Sequence, residues 1–152
     1  MKPRVIIIHS LDHARSAIAA AIQCGLPVTI ASAPFAAAYV GASWFRKVVE
    51  KAVAEQAGLA PGQVTAVLDC GDEPGLALGA LRQGTRIIRY SGSAASRKKI
   101  TAIATELGAE VWHGKMDSLD LLKSLIAMMN LYLPRILFQI FFLVSLTWLV
   151  NL

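Results

Sequence analysis

A carboxylate and a thiol stand side by side where a short apolar segment of this chain ends. Val64–Leu68 is apolar and rich in β-branched residues, and Asp69 and Cys70 follow it directly. A carboxylate in a site that partly excludes water can transfer protons, and a cysteine thiolate can bind zinc. The same pair also suits a strand end without chemistry, with Asp69 capping a loop and Cys70 filling the core. Both interpretations stay open from these residues alone.

Histidines and small polar residues follow the other short apolar segments. His9 and Ser32 follow the first two segments, and Ser91 and His113 follow the last two. Parallel strands bring their carboxyl ends to one edge of a sheet, so a ligand site is expected there. Cys70, His113 and a nearby His9 are candidate zinc ligands if that edge is tightly curved. Exposed or locally hydrogen-bonded histidines are the alternative.

The segment Ser91-Gly92-Ser93 is a candidate binding site for an anion. It precedes a segment with helical periodicity, so backbone N–H groups and the positive end of a helix would face a phosphate or carboxylate there. Ser93 suits an ordinary helix N-cap equally well, and a cap needs no ligand.

Five β-branched apolar segments alternate with longer alanine-rich segments of helical period, which predicts an α/β fold with a parallel sheet. The predicted strands are Arg4–Ile8, Val28–Ala31, Val64–Leu68, Arg86–Arg89 and Ala109–Trp112. The predicted helices are Asp12–Gln23, Trp44–Gln56 capped by Ser43, Leu76–Gln83 after Pro74, and a helix between Ser93 and Gly108. This arrangement is four βα units and a fifth strand.

Composition limits the function classes. The chain has 152 residues, 55% of them hydrophobic, and residues 1–120 hold 13 basic and ten acidic side chains, a net charge of +3. Arg97-Lys98-Lys99 is the one basic cluster, and without interleaved aromatic residues it does not indicate a nucleic-acid partner. Cys24 and Cys70 form no CxxC pair, which favours free thiols in a cytoplasmic domain.

From Pro27 onward the chain resembles the first half of a class II fructose-bisphosphate aldolase, a zinc-dependent (β/α)8 barrel. The resemblance is carried by Pro27–Ser32, Ala38–Gly41, Phe45 with Val49 and Ala52, Ala66–Gly71, Ala80–Gly84 and Gly92-Ser93. It implies a (βα)4β half-barrel in residues 1–120. It also implies that Asp69 occupies the position of the family's catalytic acid/base, and that Cys70 replaces a zinc-binding histidine.

The resemblance leads to two functional hypotheses. The first is a non-catalytic or regulatory aldolase-like module that binds a small ligand, phosphorylated or not, at the edge formed by the strand carboxyl ends. The alternative is a metal-dependent lyase that uses Asp69 as acid/base, with zinc held by Cys70 and His113 and the site completed in a dimer. A half-barrel leaves two strand edges unpaired, and a homodimer is therefore expected.

The last 32 residues differ from the rest of the chain. Between residues 121 and 152 the charged side chains are Lys123 and Arg135, and residues 136–152 have none. Residues 131–152 suffice for a membrane-spanning helix with the preceding domain in the cytoplasm, anchored to the inner (plasma) membrane. An interfacial helix or a shifted reading frame are the alternatives.

Overall fold

The computed structural model describes residues 5–124, in which strands and helices alternate. The strands are β1 (Val5–Ile8), β2 (Val28–Ser32), β3 (Val64–Asp69), β4 (Ile87–Arg89), β5 (Glu110–Trp112) and β6 (Ser118–Asp120). The helices are α1 (Leu11–Cys24), α2 (Ala36–Tyr39), α3 (Ala42–Ala54), α4 (Pro74–Arg82) and α5 (Ala94–Glu106).

The strands form one parallel sheet in the order β5-β4-β3-β2-β1-β6. From β1 to β5 the strands follow one another in chain order, so right-handed crossovers place every connecting helix on the same face of the sheet. All five helices contribute to the larger hydrophobic core, which is consistent with that placement. The predicted fold class, a parallel α/β half-barrel, is confirmed.

Strand β6 is a difference from the sequence prediction, which had five strands. Only five residues lie between Trp112 at the end of β5 and Ser118 at the start of β6, and the six steps between these two residues span at most about 21 Å. In a flat six-stranded sheet the two outermost strands would lie about 24 Å apart. The sheet therefore curls until residues 113–117, here called the strap, connect its two outer strands.

The two faces of the sheet carry different cores. The helix-facing core includes Ile30, Leu68 and Cys70 from the strands, together with Ile18 of α1 and Phe45 of α3. Successive residues of a strand point to opposite faces, so the alternate positions belong to the other face, here called the inner face.

The inner face carries a smaller hydrophobic cluster. Val5, Ile7, Ala31 and Val67 form it, and the half-buried Trp112 and Met116 pack against it. Because Met116 belongs to the strap, the strap contributes apolar contacts to this face as well as connecting two strands. The inner face of this half-barrel is thus partly covered by the chain itself.

Local side-chain chemistry marks the start of three of the described helices. The Ser10 and Ser93 hydroxyls accept N-terminal backbone N–H groups of α1 and α5, and Pro74 occupies the first turn of α4. The predicted cap at Ser43 is wrong, because α3 begins after Gly41 and Ser43 lies inside the helix. Its hydroxyl instead donates to the side-chain carbonyl of Gln83, 2.8 Å away.

The contacts within the chain divide it into two units, Met1–Asp120 and Leu121–Leu152. Within residues 5–124 there is no helix with the length and apolar character needed to cross a membrane. The membrane helix predicted for residues 131–152 lies outside the described residues and stays a prediction.

Candidate functional site

The carboxyl ends of three neighbouring strands place Asp69, Arg89 and Trp112 in one row. Asp69 is the register partner of Arg89, and Arg89 is the partner of Trp112. Residues in register on parallel strands point to the same face, and Trp112 packs with the inner cluster. The row therefore lies along the edge of the inner face, at the position where the sequence predicts a ligand site.

Both carboxylate oxygens of Asp69 are engaged by donors of the same chain. Asp69 is 2% exposed, and its Oδ1 accepts the backbone N–H groups of Phe35 and Gly71, each at 2.9 Å. Its Oδ2 accepts from Nη1 of Arg89, which forms a salt bridge with the carboxylate. Its own N–H donates to the Ser32 hydroxyl at 2.9 Å. Asp69 thus ties the ends of β2, β3 and β4 together.

Arg89 extends this network to the strap. Its Nε and Nη2 both donate to the carbonyl oxygen of Gly114, each at 3.1 Å. One guanidinium therefore joins the buried carboxylate on β3 to the strap that crosses toward β6. Hydrogen bonds to charged groups are stronger than neutral ones, so the network holds the strap at the edge of the inner face.

The loop after β2 is held in an unusual conformation by the same carboxylate. Phe35 has φ 61°, the one positive value among the described residues other than glycine. A side chain in this region costs free energy, which the hydrogen bond from its N–H to Asp69 offsets. The Phe35 ring lies where a Cβ on Gly71 would be, so position 71 accepts only glycine in this arrangement.

Cys70 lies on the opposite face of β3 from Asp69. It is fully buried in the helix-facing core, and its thiol lies 3.9 Å from the carbonyl oxygen of Leu68. Burial, and to a lesser degree the Asp69 charge, raises the pKa of the thiol to about 12. A protonated, buried thiol facing the helices is a poor zinc ligand.

The histidines predicted as ligands do not meet Cys70 in any contact that the structure shows. Nε2 of His9 lies 2.9 Å from Oδ1 of Asp120, so His9 links the end of β1 to β6. His113 is exposed in the strap, next to Gly114. Between residues 5 and 124, no three His, Cys, Asp or Glu side chains are grouped as metal ligands. The donor set of the described chain does not fit a zinc site.

The Ser91-Gly92-Ser93 segment is organised by its own side chains. The Ser93 hydroxyl accepts the N–H of Ser96 at 3.2 Å and lies 2.8 Å from the Ser96 hydroxyl. Behind the segment the buried Tyr90 donates its hydroxyl to the Asp72 carbonyl at 3.1 Å, and a Cβ on Gly92 would collide with that hydroxyl. The N-cap interpretation of Ser93 is therefore confirmed, and anion binding at this segment stays a prediction.

Three residues of the network were not predicted from the sequence. Arg89 lies within a predicted strand but carries no motif, and Phe35 and Gly114 act through backbone atoms, which side-chain patterns do not report. The sequence held one signal for Arg89. A buried aspartate such as Asp69 needs a counter-charge, and Arg89 ends the neighbouring strand in register with it.

Comparison with known proteins shows the fold. No protein-family model matches the chain, and no curated protein matches it. A solved structure from Coccidioides immitis, assigned as a fructose-1,6-biphosphate aldolase, superposes with a TM-score of 0.60 at 18% sequence identity. The match covers 73% of this chain and 45% of that protein. The chain has an aldolase-like α/β fold and spans less than half the length of this solved relative.

Proposed function

We propose that this chain is a non-catalytic aldolase-like module that binds a small ligand, phosphorylated in the most specific form of the hypothesis, at the carboxyl-end edge of its sheet. The main support is that the Asp69 carboxylate is already hydrogen-bonded within the protein. A general base needs a free lone pair within reach of a substrate proton. In this chain Asp69 is 2% exposed, three protein N–H groups donate to its two oxygens, and Arg89 supplies the counter-charge, so little of the carboxylate is within reach of a substrate.

The position of Cys70 supports the same proposal. In the family that the sequence resembles, the matching residue is a zinc-binding histidine beside the catalytic aspartate. Here the thiol faces the helices and the carboxylate faces the inner side, so one ion cannot be held by Cys70 and approached from Asp69. The described residues therefore keep the aldolase-like scaffold, but they do not bring a zinc ligand and an available acid/base together for cleavage of a carbon–carbon bond.

The test is a combined metal and activity measurement on the purified full-length chain. After dialysis against zinc and then against zinc-free buffer without chelator, we expect well below one zinc per chain and no cleavage of a ketose bisphosphate. Cys70→Ala should carry the same amount of metal as the parent. One tightly held zinc per chain, lost in Cys70→Ala, together with cleavage activity, would overturn the proposal in favour of the lyase.

The location and assembly of the module belong to the same proposal. The apolar composition of residues 121–152 supports attachment to the inner membrane with the α/β domain in the cytoplasm. The full-length chain should pellet with membranes and a chain ending at Leu122 should not. The outer strands β5 and β6 support a homodimer, because strands at the edge of a sheet favour pairing with a second copy. A monomeric mass in light scattering would contradict that part.

A further inference from the structure

Arg89 has donor capacity that the described protein does not use. A guanidinium carries five N–H groups, and three of them are engaged, one by Asp69 and two by the Gly114 carbonyl. The remaining two have no partner among residues 5–124. The side chain is 21% exposed, so part of Arg89 is in contact with solvent.

The edge of the guanidinium that faces the strap is the one suited to oxyanions. Nε and Nη2 lie side by side and match the two oxygens of a carboxylate or phosphate. In this chain both donate to one neutral carbonyl oxygen, that of Gly114. Replacing that single neutral acceptor by a charged, two-oxygen acceptor would convert the two bonds into a bidentate ion pair.

The strap is open to solvent at the point where it meets Arg89. Gly114 is exposed, has φ 81° and has open space around the position of a Cβ. Its neighbours His113 and Lys115 are also exposed, and Lys115 brings a positive charge to the same segment. No backbone N–H from His113 to Met116 has a protein partner in the described chain, so these groups also remain available as donors.

We propose that Arg89 and the strap form a binding site for a small oxyanion, either the phosphate or the carboxylate group of a ligand, with the Gly114 carbonyl acting as its internal placeholder. Asp69 holds the guanidinium in position from the other side through Nη1. The site lies within the edge row formed by Asp69, Arg89 and Trp112. This inference rests on the proposed function and specifies which group of the ligand the module recognises.

Calorimetric titration of the full-length chain with inorganic phosphate, and separately with acetate, at constant ionic strength tests the proposal. Arg89→Gln should weaken phosphate binding by at least about tenfold, because it removes a charged donor. Arg86→Gln is the matched control. Arg86 is exposed at the opposite end of the same predicted strand, where it donates to the Gly108 carbonyl at 3.5 Å, and its loss should leave binding unchanged.

A second variant keeps the test decisive if Arg89→Gln does not fold. Arg89→Lys keeps a positive charge beside Asp69 but lacks the paired Nε and Nη2 donors, so phosphate binding should weaken by about threefold or more. A purely structural role for Arg89 predicts no such loss in this folded variant. Equal affinity in wild type and Arg89→Gln, or unchanged or tighter binding in Arg89→Lys, would overturn the proposal.

Failure here is distinguishable from failure of the proposed function. If wild type binds neither phosphate nor acetate, the oxyanion site is refuted while the non-catalytic module stands. The module itself is refuted by zinc-dependent cleavage of a ketose bisphosphate, which this titration does not measure. If acetate binds and phosphate does not, the site is retained for carboxylate ligands.

Discussion

Removing the Asp69 carboxylate should destabilise the domain more than any comparable change at its surface. Asp69→Ala deletes the acceptor of the Phe35 and Gly71 N–H groups and leaves Arg89 without its counter-ion. Each hydrogen bond to a charged group contributes about 1.5–3 kcal/mol, and breaking a buried ion pair costs about 3–5 kcal/mol. These effects overlap, and solvent partly screens the 21% exposed Arg89. We expect a loss of about 4 kcal/mol in unfolding free energy.

Urea unfolding of the full-length chain in a mild detergent, followed by tryptophan fluorescence, measures this loss. With a urea m-value of about 2 kcal/mol/M, the midpoint should fall by about 2 M. The control is Asp72→Asn, three residues along the chain and exposed, for which a change within about 0.5 kcal/mol is expected. If Asp69→Ala and Asp72→Asn have the same midpoint, the reasoning about this network is refuted.

Other predictions concern close packing and the buried thiol. Gly92→Ala should lower the free energy of unfolding by about 1–3 kcal/mol, because the added methyl group meets the Tyr90 hydroxyl. Gly79→Ala, in α4 with open space around it, should raise the free energy of unfolding by about 0.5–1 kcal/mol in the same urea experiment. A thiol reagent at pH 8 should label Cys24 alone in the folded chain and both cysteines in denaturant, since Cys24 is exposed and Cys70 buried; labelling of Cys70 at the rate of Cys24 would contradict its burial. Folding raises the pKa of the Cys70 thiol from 9.0 to about 12, so between these pH values the folded chain keeps a proton that the unfolded chain loses. The free energy of unfolding should therefore fall between pH 9 and 12 in wild type, and fall less in Cys70→Ala.

The architecture could be predicted because it depends on local pattern. Strand β2 is buried along its whole length, and its mostly apolar, β-branched sequence without regular alternation is typical of a buried parallel strand. Glycines after α4 and α5 end those helices with positive φ, as Gly84 and Gly108 indicate in the sequence. These signals lie within a few residues of the element that they define.

The features that could not be predicted from the sequence depend on contacts between distant segments. Strand β6 is three residues long and has one apolar residue, Leu119, so no periodicity marks it, and its pairing with β1 joins residues more than 100 positions apart. Asp69 was predicted as a candidate catalytic residue, but its partners Phe35 and Arg89 come from other βα units. Only the three-dimensional register shows that the carboxylate is engaged.

The most direct test of the central claim is amide hydrogen exchange at Phe35 and Gly71, measured by NMR on the folded full-length chain. If the Asp69 carboxylate serves as an anchor within the protein, both N–H groups should exchange far more slowly than the N–H of the exposed Asp72, although Phe35 lies in a loop with its side chain 37% exposed. The slow exchange should be lost in Asp69→Ala. Exchange at Phe35 and Gly71 as fast as at Asp72 in the wild-type chain would mean that the carboxylate is free, and would contradict the account.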